Sequence, residues 1–355
     1  MNYIGSKKSL LQFLEKSIYQ VVGKKDFTFL DLFAGTGIVG QHFKSKGHKV
    51  IANDLQYYSF VLNKNYIENH QVLKFIKLEK DIKDLKSIDY KKRADFVCKF
   101  LDDLELKEGF IYKNYCLSGT KKQEFQRQYF SDENGKKVDT IREKIEDWKK
   151  EDKINDNEYY FLLATLIENI DKVANTASVY GAFLKHLKKS AQQSFSMKPA
   201  IFVFNDNEHN VYNEDIETLV ETVQGDVLYL DPPYNHRQYA PNYHLLETIA
   251  KYDNPKIKGK TGLRDYSHQK SKFSQKKDVL KSFENIIQKA KVKYIFLSYN
   301  NEGLMTEEEV KTIMSKRGKY GIFKKEYSRF KADKTENRNH TANSVVEYLH
   351  YVECK

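Results

Sequence analysis

Val227-Leu228-Tyr229-Leu230-Asp231-Pro232-Pro233-Tyr234 is the stretch on which the reading of this chain turns. Four apolar or aromatic residues run directly into an acid, two prolines and a tyrosine. A short, continuous apolar run of this kind predicts a strand buried on both faces. Pro232 and Pro233 end it, because neither can donate to a ladder. Asp231 and Tyr234 are thereby left at the carboxyl end of a strand, where open α/β sheets bind ligands. The four residues after Leu230 suit the holding of a planar amine. Pro233 has no N–H to compete for the Pro232 carbonyl, so that carbonyl and the Asp231 carboxylate can both accept from one NH2 group. Tyr234 adds a flat face for a base. Taken alone, the same residues also fit a strand closed by a tight Pro-Pro turn with an exposed acid.

The context lies upstream. Phe29-Leu30-Asp31-Leu32-Phe33-Ala34-Gly35-Thr36-Gly37-Ile38-Val39-Gly40 is another apolar strand, followed by a glycine loop and the start of a helix. Glycines at such a bend let the backbone approach a ligand closely. His48 to Ala52 predicts a second strand ending in Asn53-Asp54, where folds of this kind place an acid on the two hydroxyls of a ribose.

Together with Tyr3-Ile4-Gly5-Ser6-Lys7-Lys8, these segments make the chain resemble the alpha group of N6-adenine DNA methyltransferases, the Dam-like family. The resemblance covers the two ends of the chain and leaves the middle unmatched. It implies an α/β fold, with a Rossmann-like S-adenosylmethionine-dependent methyltransferase sheet and a mainly helical inserted target-recognition domain. It implies site-specific transfer of a methyl group from S-adenosyl-L-methionine to the N6 amine of a flipped adenine in duplex DNA, as part of a restriction-modification system. Asp231, Pro232 and Tyr234 become the catalytic residues. Tyr3, Lys7, Asp31, Phe33, Gly35, Gly37, Asp54 and Asp215 become cofactor-binding residues. Lys7 is expected to reach the cofactor's carboxylate, and Asp215, with Glu214 close behind, its adenine amine. Without the resemblance, Lys7 reads as a solvated lysine at a helix start, and Asp215 as a surface acid at a helix N-terminus.

A formal charge of +11 and 14% aromatic residues favour an acidic partner whose bases can be stacked upon. Basic surfaces also serve solubility. No stretch approaches the length of a membrane span, and no apolar leader with a cleavage site opens the sequence, so a cytoplasmic protein is expected. Cys98, Cys116 and Cys354 are widely spaced and form no CxxC pair, and the ten histidines show no ligand spacing. Reduced thiols and no metal are the corresponding expectations.

Along the chain, Ser9 to Val22 has helical apolar spacing, and the segment up to about residue 71 alternates strand and helix, as a parallel sheet requires. From 72 to 197 the apolar residues recur at steps of three and four between many charged ones, which predicts a helical insertion suited to gripping and reading DNA. The catalytic domain is then 1–71 with 198–355. Ser131 to Lys137, containing Asp132-Glu133-Asn134-Gly135, reads as an exposed turn. Lys185 lies in a short basic and aromatic run, although lysines on a solvated helix face would look the same. His236 and Arg237 follow the proposed base pocket and suit phosphate contacts. Lys256 to Lys277, with Lys258, Lys260 and Arg264 among its cations, reads as a mobile phosphate clamp opposed only by Asp265. Lys331 to Asn343 carries Lys334, Arg338 and His340 as further candidates. Tyr320 to Phe330 and Ser344 to Tyr351 predict two strands, read as a pair closing the sheet.

Three other readings stay open at this point: an RNA methyltransferase acting on an exocyclic amine, an inactive methyltransferase fold that binds nucleic acid, and a nicotinamide dehydrogenase, weakened because Asp31-Leu32-Phe33-Ala34-Gly35 replaces the first glycine of G-x-G-x-x-G. The recognition sequence, a paired nuclease and the oligomeric state are not legible, with a monomer as the default.

Overall fold

The computed structural model describes residues 3–328 and 344–355. The chain divides into two compact units, one comprising Gly5–Asn63, Asn205–Tyr239 and His268–Lys355, the other residues 3–4, Lys64–Phe204 and Ala240–Ser267.

The first unit is built on a seven-stranded sheet. Its strands are β1 (Thr28–Asp31), β2 (Lys49–Asn53), β3 (Asn210–Tyr212), β4 (Val227–Leu230), β7 (Tyr294–Asn300), β8 (Gly318–Ser328) and β9 (Ser344–Cys354), with β5 (Ile257–Lys258) and β6 (Leu263–Arg264) in the other unit. The order is β3-β2-β1-β4-β7-β9-β8. The first five run parallel, and β9 pairs antiparallel with both β7 and β8. Parallel strands need crossovers that cover both faces, which is why β4 reads as an unbroken apolar run. All four of its residues are buried, each large side chain contributing roughly 1.5–3 kcal/mol relative to exposure. One face packs Leu30, Leu228, Leu230 and Ile295 on Phe283, Ile286 and Ile287 of the helix Val279–Lys289. Elsewhere in this core, Phe29 stacks on Phe43 of the helix Ile38–Ser45 at 4.2 Å and on Tyr229 at 6.0 Å. The expected antiparallel pair does close the sheet; Lys334, Arg338 and His340 lie outside the described residues.

The second unit holds the helices Tyr90–Asp102, Phe110–Tyr115, Asp132–Lys150, Asp156–Val173 and Ala240–Lys251, together with the short hairpin β5 (Ile257–Lys258) and β6 (Leu263–Arg264). It begins earlier than residue 72 and takes in 240–267 as well. Buried polar side chains tie that later segment in. Arg142 donates to the carbonyls of Ile249 (3.0 Å) and Ala250 (3.1 Å), the last orphan acceptors of their helix. Arg127 donates to the carbonyls of Gly259 (3.0 Å) and Lys260 (3.2 Å), and Tyr115 to that of Gly262 (2.7 Å).

Asp132 to Gly135 is not a turn. Ser131 caps a 19-residue helix by accepting from Asn134 N, and Asp132 and Glu133 sit in its first turn, where acids are favoured. Gly135 is buried, and a Cβ there would come within 2.2 Å of Cys116 Sγ, so close packing rather than turn chemistry requires this glycine.

Candidate active site

The strand order reverses between β1 and β4, and the chemistry gathers there. Asp31 is the last residue of β1 and pairs in register with Tyr229, two residues before Asp231. Prolines at 232 and 233 stop β4 and turn the chain, leaving Asp231 at the sheet's carboxyl edge. Among the described residues, neither Oδ2 of Asp231 nor the carbonyl of Pro232 takes a hydrogen bond. Two adjacent acceptors are thus open. Tyr234 is half-buried, its ring edge-on to Tyr299 at 6.4 Å.

Oδ1 of Asp231 is taken up by Lys7, whose ammonium lies 3.0 Å from it and 3.0 Å from Oε1 of Glu347 on β9. Ser298 on β7 donates to the same Glu347 oxygen at 2.8 Å. Lys7 and Glu347 are both buried. Burial opposes the lysine's charge, yet Asp231 and then Glu347 hold its pKa well above the ordinary value. Burial pushes the Asp231 carboxyl up to about 6, Lys7 pulling it down and the like charge of Glu347 pushing it up. Asp31 is raised to about 8, first by burial and then by Asp231, with its bond from Gly40 N at 3.2 Å opposing. Its other oxygen, Oδ1, is buried and has no hydrogen-bond partner among the described residues.

Beside Asp31 runs the glycine loop. Gly35 (φ +52°) and Gly37 (φ +76°) adopt left-handed backbone. A Cβ at Gly37 would approach Asn63 Oδ1 to 2.5 Å, and Asn63 in turn donates to the Gly35 carbonyl at 3.0 Å. Asp54 clips the loop to the end of β2: its Oδ2 accepts from Gly35 N (2.8 Å) and its Oδ1 from Gln56 N (2.9 Å).

A model of the D12 class N6 adenine-specific DNA methyltransferases matches residues 3–313. The chain belongs to this family. It is 54% identical to the type II methyltransferase M.NlaIII of Neisseria lactamica, over 99% of both chains. It is 32% identical to the type II methyltransferase M.CviAII of Paramecium bursaria Chlorella virus 1, over 99% of this chain and 98% of the other. With the type II methyltransferase M.FokI of Planomicrobium okeanokoites it shares 40% identity, spanning 99% of this chain and 52% of that one. The protein is therefore an adenine-specific DNA methyltransferase, and the readings as an RNA enzyme, an inactive binding module or a dehydrogenase give way.

Within this methyltransferase, Lys7, Asp31, Phe33, Gly35, Gly37, Asp54, Asp215, Asp231, Pro232 and Tyr234 all fall in the sheet unit. Phe33 packs edge-on against Phe273 at 5.1 Å. Asp215 is exposed and caps the short helix Ile216–Leu219, accepting from Glu217 N at 2.8 Å. Tyr3 stacks on Tyr243 at 4.8 Å, within the helical unit. Lys7, expected to reach a cofactor carboxylate, has its ammonium between Asp231 and Glu347 instead.

Of the cations proposed for DNA, His236, Arg237, Lys185, Lys258 and Lys260 are exposed. Arg264 is not available for that role: it is buried and gives a two-pronged pair to Asp253 at 3.0 and 2.7 Å. The basic segment around it is also built rather than loose, with Lys272 paired to Glu217 (2.9 Å) and Phe273 in the core. Glu347, Ser298 and Asn63 escaped the sequence reading. For Glu347 a signal existed, since it keeps step with the buried Leu349 two positions on. No helix among the described residues is long and apolar enough to cross a membrane.

Proposed function

We propose that this methyltransferase uses S-adenosyl-L-methionine and acts on a flipped adenine held by Asp231, Pro232 and Tyr234. The observation that carries the reading is the pair of open acceptors, Asp231 Oδ2 and the Pro232 carbonyl, at the strand-order reversal. An amine donating to both is oriented by them, and the carboxylate stabilises positive charge as it develops on nitrogen. Tyr234 offers a ring for the base to stack on, and a base inside a duplex must leave the stack to reach it. Asp231 holds the amine and need not remove its proton before attack, because the nitrogen becomes acidic once alkylated.

The residues present fit the cofactor. Asp31 has a buried oxygen lacking a partner, which an α-ammonium would satisfy. Gly35 and Gly37 leave a side-chain-free bend next to it. Asp54, at the end of β2, would take the ribose hydroxyls. Phe33 and Asp215 would flank the adenine end. When bound, the cofactor supplies an electrophilic methyl group on a sulfonium.

The helical unit, 72–197 at its heart, would read the target sequence, while Lys185, His236, Arg237, Lys258 and Lys260 contact phosphates. Relatives named as type II methyltransferases and modification methylases support a protective role opposite a restriction endonuclease. The test is transfer of labelled methyl from S-adenosylmethionine to mixed-sequence duplex DNA, with the product nucleoside identified. N6-methyladenine at one recurring sequence is expected. Label in cytosine or in RNA alone, or none despite cofactor binding, would contradict the assignment.

A further inference from the structure

Lys7 and Glu347, both buried, are joined to the half-buried Asp231 in a chain that the transfer chemistry alone does not require. It runs from Ser298 Oγ on β7 to Glu347 Oε1 on β9 (2.8 Å), from there to Lys7 Nζ (3.0 Å), and on to Asp231 Oδ1 after β4 (3.0 Å). Three strands and the N-terminal turn thus converge on one carboxylate oxygen. A single ammonium shared by two carboxylates leaves one net negative charge at a largely buried place, which costs free energy. For stability alone, a neutral partner at 347 would serve Lys7 and Asp231 at least as well.

We propose that Glu347 is a positioning residue for methyl transfer: it anchors Lys7 so that Asp231 Oδ1 is fixed and Oδ2 is presented to the adenine amine. The proposal rests on the reading of Asp231 as the amine acceptor. Lys7 is then a part of the base pocket in this protein and not of the cofactor's carboxylate site. Ser298 is the outer anchor, locking the Glu347 oxygen that faces Lys7. The negative charge of Glu347 also keeps Lys7 from fully satisfying Asp231, so that the carboxylate remains a strong acceptor for the substrate. The charged and titratable groups that bear on Asp231 are Lys7 from the N-terminal turn, Glu347 from β9, Asp31 from β1, and the phenols of Tyr229 and Tyr234 on its own segment.

The test is steady-state methyl transfer by full-length Glu347→Gln across pH 5 to 9, with cofactor affinity and Tm measured beside it. The side chain keeps its shape and loses its charge. The expected result is a kcat lower by roughly 10- to 100-fold, as for displacement of a reacting group by about an ångström. KM for DNA and cofactor affinity should stay at wild-type values. The acid limb of the pH profile should move to lower pH, because a like charge that raises the Asp231 pKa is gone. Ser298→Ala should give a smaller loss of kcat in the same direction and serves if Glu347→Gln folds poorly. A wild-type kcat and pH profile in both variants would overturn the proposal, as would a loss that follows cofactor affinity or Tm in proportion. Asp231→Ala separates the two claims: if it retains activity, the reading of Asp231 fails, whereas if it is inactive while both other variants match wild type, the Glu347 proposal alone fails.

Discussion

Asp31 and Asp231 stand at the carboxyl ends of β1 and β4, neighbouring parallel strands, the first buried and the second half-buried, each in the field of the other. Lys7 neutralises Asp231 in part, while Asp31 keeps an oxygen with no partner. The two acids therefore divide the chemistry. One is prepared for a cation it does not yet have, and the other for a neutral amine.

Cofactor binding should release a proton near neutral pH. Asp31, raised to about 8, is protonated at pH 7, and an α-ammonium beside it would favour the ionised form. Affinity should rise with pH up to about 8 and then level off. Titration calorimetry in two buffers of different ionisation enthalpy would detect the proton, and equal apparent enthalpies would count against this role.

Asp31→Asn separates stability from binding. A carboxyl whose folded pKa is raised lowers stability as pH climbs from its unfolded value towards the folded one. The variant should therefore melt several degrees higher than wild type at pH 7.5, with the difference vanishing below pH 4, while cofactor binding is lost. Thermal melts at both pH values and a binding titration would check it.

The acid limb of kcat should report Asp231. Its carboxyl sits at about 6, and the amine needs the ionised form as acceptor, so activity should fall as pH drops through 6. A pH–rate profile flat down to pH 5 would count against this assignment.

Gly37→Ala should harm both fold and cofactor binding. The residue would be forced to φ +76° with its Cβ against Asn63, at a cost of about 1–3 kcal/mol. Adding Asn63→Ala relieves the contact but not the backbone, so urea titration should show partial recovery only.

Arg264 and its lysine neighbours should respond oppositely. Arg264→Ala breaks the pair with Asp253 and should cost about 2 kcal/mol of stability. Replacing Lys258 and Lys260 together by Ala should leave Tm unchanged, weaken DNA binding and lower the salt slope by about 2. Denaturation curves and salt-dependent binding would distinguish the two.

Much of this arrangement was legible from residues 27–54 and 227–234, because buried parallel strands ending in glycines, acids and prolines leave few alternatives. The helical character expected of 72–197 is met by the helices between 90 and 173. What escaped depended on partners distant in sequence. Glu347 lies 340 residues from the lysine it holds, and nothing beside Lys7 announces that pair. Arg264 reads as a surface cation from sequence because Asp253, eleven residues back, lies outside the basic run around it. Gly135 resembled a turn residue since the Asn-Gly signal is local, whereas the Cys116 sulfur that demands a glycine comes from another segment.

The most direct test of the whole account is the single-turnover rate of methyl transfer by Asp231→Ala on a duplex bearing one mapped target adenine, with cofactor affinity measured on the same preparation. The account predicts a rate lower by at least about 100-fold with cofactor affinity retained. A rate near wild type would contradict it, since the adenine amine would then be held by something other than Asp231.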